Sequence, residues 1–389
     1  MTSPRRGTPD FLLLFLTFAL VCFGLAMVFS ASMAYTRLDP LTKTTVNDPW
    51  YLVTRQGIFI ALGTVAMFFF MNVDYRLLKK WIRPGFVIVV ILLLLVPVIG
   101  KEVNGAKSWF NIGGFGIQPS EFAKLAIIIY LAALISKKED KFRDFKTGLL
   151  PALAIFGFIF ALIALQGDTG SLMILTLIVA ILIVAGGANL KHLFYLGIAG
   201  AGVLSLMITA YFIKTNGDSY RIERFKTFLN PENDPLGSGY QIIQSLYAFG
   251  HGGFVGAGFG QSIQKLHYLP EAHNDFIFSI IGEELGFIGS TFFLLVYLAF
   301  LWRGLFVAIR CKETFGTLMS VGIIGMIAIQ ALINLGGVTG SIPLTGVTLP
   351  LISYGGSSML VTLSSIGILL SISRAYNKPD KEKETKKRA

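Results

Sequence analysis

The sequence predicts an all-α integral membrane protein with ten transmembrane helices. Three observations carry this. Of the 389 residues, 54% are hydrophobic and only 14% are charged, whereas a soluble domain carries about 25% charged residues. The charges are bunched into short clusters between long uncharged runs. Several of those runs, such as Phe11 to Met33 and Leu193 to Ile213, reach the roughly 20 residues that a helix needs to cross a bilayer.

The first run, 11–33, follows Arg5 and Arg6. It is longer than the apolar core of a signal peptide and lacks a small-residue cleavage site, so it reads as a retained span. Further spans are predicted at 57–73, 85–100, 121–136, 148–166, 171–187, 192–213, 276–302, 316–337 and 352–373. Several are short for a core about 30 Å thick, which snorkelling flanks or local thinning accommodate. The alternating pattern of a β-barrel is absent, so the spans are expected to be helices.

Lysine and arginine orient the spans. With the N-terminus inside, cytoplasmic segments carry 22 of the 33 and external segments 10, Lys124 lying within a span. The asymmetry follows the positive-inside rule and places both termini in the cytoplasm. The net charge of +11 is then mostly topological and does not call for nucleic acid. Residues 1–373 read as one polytopic membrane domain, and 374–389 as a charged tail expected to be disordered. Two external loops stand out, 101–120 between spans 3 and 4 and the larger 214–275 between spans 7 and 8. Chemistry is expected where they meet on the outer face.

Several classes are disfavoured. Cys22 lies mid-span and Cys311 in a basic loop, a poor arrangement for a structural disulfide. The four histidines form no recognisable ligand pair. Gly256-Ala257-Gly258-Phe259-Gly260 lacks both the spacing and the βαβ context of a dinucleotide fingerprint, so re-entrant or tightly packed backbone is expected instead. No internal repeat is visible, which weakly disfavours an inverted-repeat transporter.

Asp275 ends the large loop at the head of span 8. Apolar residues follow it directly, a setting that can raise a carboxylate pKa and make it a base; a helix N-cap is the alternative. Glu121 and Lys124 open span 4 three residues apart, on one helix face. They read as a structural ion pair or as the lining of an outward cavity that offers Lys124 to an anion. Glu283 and Glu284 diverge by about 100° on their helix, so at most one can share a wall with Asp275; helix–helix hydrogen bonding is the plainer role. Arg55, Arg221, Arg224 and Lys226 are the main outer-face cations, suited to phosphate or merely solvated. Asp168, in Gln166-Gly167-Asp168-Thr169-Gly170-Ser171, fits a tight turn on geometry alone.

Taken together the motifs resemble the SEDS family (shape, elongation, division and sporulation proteins). The resemblance runs through Asn104 to Trp109, Gln118 to Lys124, Asn230 to Gln241, Gln244-Ser245-Leu246-Tyr247-Ala248, Tyr268 to Phe278, Gly282 to Gly286 and Thr348 to Ser358. Gln244 to Ala248 and Gln261 to Lys265 point to the division and sporulation branch rather than the elongation branch. Two positions depart from the family pattern. Asn274 stands where the family usually has Thr before the key Asp. Gln166 to Ser171 replaces a Gln-Pro-Asp-Leu-Gly-Thr turn, which leaves the role of Asp168 open.

The resemblance implies a GT-C-like fold and a peptidoglycan glycosyltransferase that polymerises lipid II, in the plasma membrane at the division septum or forespore membrane. It implies Asp275 as the base, with Lys124, then Arg55 and Arg221, as leaving-group ligands. Glu121, Trp109, Asp168, Gln244, Ser245 and Ser357 join the substrate-binding set. A divalent cation, Mg2+ or Mn2+, is an expected aid, with Asp275 or Glu121 as ligands; no nucleotide cofactor is expected. Expected partners are the growing glycan strand, a class B penicillin-binding protein acting as transpeptidase, and other membrane proteins of the division machinery. A lipid II flippase and a non-catalytic division scaffold are the rival readings.

Overall fold

The computed structural model describes residues 7–34, 36–38, 45–103, 106–112, 115–189, 191–198, 200, 202, 228, 230–234, 237 and 239–377. It is a helical bundle. In chain order the helices are α1 (Phe11–Ala31), α2 (Pro49–Asn72), α3 (Leu78–Ile99), α4 (Pro119–Lys138), α5 (Leu150–Ala164), α6 (Thr169–Ala185), α7 (Tyr240–Gly252), α8 (Ile277–Arg310), α9 (Thr314–Val338) and α10 (Gly356–Tyr376). Eight of the described segments are long and apolar enough to cross a membrane, and α6, at 17 residues, is a shorter apolar helix. Nine of the ten expected spans thus coincide with helices. The seventh, 192–213, lies largely outside the described residues.

Two loops are more ordered than the sequence suggested. Residues 101–117 form a three-stranded antiparallel sheet, β3 (Lys101–Val103), β4 (Ala106–Ile112) and β5 (Phe115–Ile117), and β1 (Thr36–Leu38) pairs with β2 (Thr45–Asn47). The all-helical expectation therefore holds for the spans but not for these loops. The Lys107 N–H donates to the Gln166 carbonyl at 3.0 Å, tying the sheet to the α5–α6 turn.

Helices α2 and α10 run side by side in the same direction. Gly356 abuts the Phe59 ring, Gly63 abuts Leu363, and Gly367 lies against the Met67 carbonyl, where an added Cβ would stand 2.4 Å away. Small residues let backbones approach this closely where lipid offers no hydrophobic drive to association. At the same end as the α10 C-terminus, Asp10 caps α1 through Leu13 N–H at 3.0 Å. Its carboxylate also takes Arg303 at 2.9 Å, and its N–H donates to Ser373 Oγ at 3.0 Å. Arg374 Nε donates to the Gly7 carbonyl at 3.0 Å. Helix α10 continues to Tyr376, past the boundary expected at 374, and 378–389 lie outside the described residues.

Helix α8 is broken. Gly286 has φ 65° and ψ −168°, a left-handed backbone that glycine adopts without strain. The backbone groups released by the break are met by a glycine-rich segment laid into it. Ala257 and Gly258 donate to the Glu283 and Glu284 carbonyls at 2.9 and 3.0 Å, and Phe287 and Ile288 donate to Gly253 and Phe254 at 2.9 and 3.1 Å. Irregular backbone at membrane depth is tolerated only when buried and paired in this way. Within Gly256 to Gly260, Gly256 is tightly packed, since a Cβ there would stand 2.3 Å from the Glu284 carbonyl oxygen.

Candidate functional site

The N-termini of α4, α6, α8 and α10 and the C-terminus of α9 meet at the bundle end opposite Asp10. The sequence favours each helix start locally: Pro119 occupies the first turn of α4, and Asp168 caps α6 by accepting the Ser171 N–H at 2.9 Å. A proline at the first turn sacrifices no helical hydrogen bond.

Asp168 does more than close a turn. Its second oxygen accepts Gln118 Nε2 at 2.8 Å and Ser120 Oγ at 3.1 Å. Ser171 Oγ donates to Ser120 Oγ at 3.2 Å. Ser357, on α10, accepts the Gln118 N–H at 3.0 Å and donates to the Gly116 carbonyl at 3.3 Å. Trp109 lies on β4 with its ring beside Gly116. Asp168, Ser357 and Trp109 thus gather around the Gln118 to Lys124 motif.

One turn further along α4, Lys124 Nζ donates to Glu121 Oε1 at 2.7 Å. Lys124 is 0% exposed and Glu121 8%. The pair is a closed, buried ion pair, not the open cavity wall that was the alternative. An ammonium carries three donors, so Lys124 retains capacity for further acceptors.

Asp275 is half-buried. Helix α8 begins at Ile277, with Asp275 two residues before it at the head of the span. Two contacts fix its surroundings. Asn334 Nδ2 donates to the Asp275 carbonyl and to the Val347 carbonyl, both at 2.7 Å. Gly346, at φ 70°, lies so close that an added Cβ would stand 3.4 Å from Asp275 Oδ2. Residues 339–355 connect this carboxylate to the rest of the end. Gly170, beside Asp168, abuts the Thr345 carbonyl, where a Cβ would stand 2.9 Å away, and the Tyr354 N–H donates to the His273 carbonyl at 3.0 Å. Burial holds the His273 imidazole below its usual pKa, opposed by the nearby Glu271 carboxylate, so a largely neutral ring stands two residues from Asp275.

Arg55, half-buried at the start of α2, lies over the Tyr51 ring at 4.7 Å. Its neighbour Gln56 grips the same connecting segment, donating to the Ser353 carbonyl at 3.1 Å and accepting the Gly355 N–H at 3.2 Å. Gln244 is half-buried on α7. Ser245 is buried, 2.6 Å from both Ser279 Oγ and the Val338 carbonyl, and pins α7 to the start of α8 and the end of α9. Arg221, Arg224 and Lys226 lie outside the described residues.

Glu283 and Glu284 turn away to other duties. Glu283 accepts the Ile263 N–H at 2.9 Å, contacts His251 Nδ1 at 2.9 Å, and bonds Ser262 Oγ. Glu284 pairs with buried Lys265 at 2.8 Å and accepts Ser30 Oγ of α1 at 2.5 Å. Sequence reasoning passed over Lys265, Gln56 and Asn334. A buried amide in an otherwise uncharged span is a legible sign of interhelical bonding for Asn334; Lys265 carried no such sign, lying in a loop.

Asp275 and Glu121 were the expected ligands for a divalent cation. Among the described residues no three of His, Cys, Asp and Glu converge on a point, and Glu121 is engaged with Lys124.

Fold and site define a polytopic helical membrane protein with its carboxylates, amides and a buried lysine collected at one end of the bundle. A family profile described as "Cell cycle protein", covering FtsW, RodA and SpoVE, matches residues 11–378, and the chain belongs to that family. Stage V sporulation protein E of Bacillus subtilis (strain 168) is 46% identical over 377 residues, covering 96% of this chain and 99% of that one. The probable peptidoglycan glycosyltransferase FtsW of Trichlorobacter lovleyi is 42% identical over 371 residues, covering 95% and 94%. Among solved structures, one titled for the coordination of polymerization and crosslinking by a peptidoglycan synthase complex superposes with a TM-score of 0.74 at 31% identity, covering 95% and 98% of the chains. The rod shape determining protein RodA of Thermus thermophilus gives 0.66 at 28%, covering 94% and 97%.

Proposed function

We propose that the chain polymerises peptidoglycan glycan strands from lipid II on the outer face of the plasma membrane. The observation that carries this is the placing of Asp275 against the 339–355 segment that also meets the Asp168–Gln118–Ser357 network. The acceptor's GlcNAc 4-hydroxyl attacks the anomeric carbon of the donor MurNAc. Asp275 takes the hydroxyl proton, the C–O bond to pyrophosphate breaks, undecaprenyl pyrophosphate leaves, and a β-1,4 bond forms with inversion. The leaving group needs positive charge. The N-termini of α4, α6 and α10 present partial positive charge to this end. Lys124, one turn inside α4, adds a full positive charge at this end, and Arg55 stands on α2 next to Gln56, which grips the connecting segment.

Ten spans with both ends of the chain in the cytoplasm complete the reading. Gly7 and Asn377 lie together at one end of the bundle, which supports an even number of crossings. The structural relative's pairing of polymerization with crosslinking supports a class B penicillin-binding protein as partner, and the FtsW and SpoVE relatives support work at the septum or forespore membrane.

The test is purified protein with labelled lipid II, read as glycan strands on a gel. Asp275→Asn keeps size but cannot accept the proton. It is expected to fold and to lose about 10²–10⁴-fold of the rate. Wild-type polymerisation by the variant would remove Asp275 as the base. A wild type that makes no glycan but moves lipid II across a liposome bilayer would establish a flippase instead.

A further inference from the structure

We infer that Asn334 is a positioning residue for Asp275, setting the carboxylate against the 339–355 segment. The inference rests on the assignment of Asp275 as the base. Asn334 lies in the last turns of α9 and is 4% exposed. Its amide nitrogen has two hydrogens, and both are spent on backbone carbonyls, of Asp275 and of Val347, each at 2.7 Å. These carbonyls belong to chain segments 59 and 13 residues away from it. One side chain thereby joins the residue ahead of α8 to the loop behind α9.

The geometry explains why an amide stands there. Two carbonyl oxygens converge on one point and both need a donor. A carboxylate would set an acceptor against two acceptors, and an alanine would leave two carbonyls buried without their donor. Because the Asp275 peptide unit is held, the point from which its side chain leaves the backbone is fixed. Gly346, one residue from the held Val347, has left-handed backbone, and a Cβ added there would stand 3.4 Å from Asp275 Oδ2. Asn334 therefore sets both the base and the surface the base meets. A displacement of about 1 Å in a reacting group can cost on the order of 10²-fold in rate.

The experiment uses the full-length chain in detergent with labelled lipid II, measuring kcat, KM and the pH dependence of kcat. Asn334→Ala is expected to lower kcat roughly 10- to 100-fold, to leave KM within about twofold, and to shift the acidic limb of the pH profile, since the carboxylate's surroundings change. A residue that merely held helices together would lower the amount of folded protein and leave the profile of the surviving fraction in place. That result would overturn the inference, as would wild-type kcat. If Asn334→Ala does not fold, Gly346→Ala decides. It disturbs the same carboxylate from the loop side without touching α9, and is expected to give the same loss in kcat and the same shift; an unchanged profile would overturn the inference. The underlying assignment fails separately: Asp275→Asn with normal activity removes the base, whereas an inactive Asp275→Asn beside a normal Asn334→Ala removes only the positioning role.

Discussion

At the scale of single residues, the buried pair of Lys124 and Glu121 separates stability from chemistry. Removing one partner of a buried ion pair costs about 3–5 kcal/mol because the other charge is left alone, while replacing both costs far less. Lys124→Met is therefore expected to lower thermal stability and abolish most polymerisation. Glu121→Gln combined with Lys124→Met is expected to regain the melting temperature in detergent without regaining activity. Recovery of both by the double variant would leave the pair a purely structural role. Part of this was legible in the sequence: the three-residue spacing fixes the pair on one face, one turn inside a span, as an ion pair or a cavity lining. What the spacing could not say is that the ammonium is fully enclosed. That depends on the packing of α4 against neighbours distant in the chain. The bonds of Asn334 were hidden for a related reason, since its partners are backbone carbonyls, which every residue possesses and no side-chain pattern announces.

At the scale of elements, the break in α8 invites the sharpest test. A Cβ at Gly286 would stand 2.3 Å from Gly256 N, on a backbone at φ 65°. Gly286→Ala thus meets both a steric and a conformational penalty, together on the order of 3 kcal/mol or more. The expected outcome is a lower melting temperature and faster proteolysis within 253–260, read by mass spectrometry of the fragments. Unchanged protection would show that the docked segment does not depend on the break. The spans were read from their apolar runs because a bilayer demands about 20 such residues in a row. No comparable demand marks a three- to seven-residue strand in a glycine-containing loop, so the sheet at 101–117 escaped the same reading. The glycines of 253–260 were legible as close-packed backbone, but not as the partner of an interrupted helix.

At the scale of the whole molecule, orientation is open to a labelling experiment. In a chain with Cys22 and Cys311 replaced by serine, Gly250→Cys is expected to react with an impermeant maleimide from outside the cell. Lys141→Cys is expected to react only after permeabilisation. Both positions are exposed, so reactivity reports sidedness and not burial. The reverse pattern would put Asp275 on the cytoplasmic side and sink the outer-face site.

The pairing of α1 and α2 with α8 and α10 sets the order in which the chain can be completed during synthesis. Asp10 finds Arg303 and Ser373, Gln56 finds Ser353 and Gly355, and Gly63 finds Leu363. In each case the earliest part of the chain waits for some of the latest. A ribosome that has released α1 and α2 into the bilayer leaves them without these neighbours until nearly the whole protein has been translated. The first helices must persist as independent spans, with Gln56 meeting its partners only at the end. Because the 339–355 segment is gripped by Gln56 and joined to α10, the end of the bundle that holds Asp275 is completed at that last step. A nascent chain therefore holds no working polymerase before its final helix arrives.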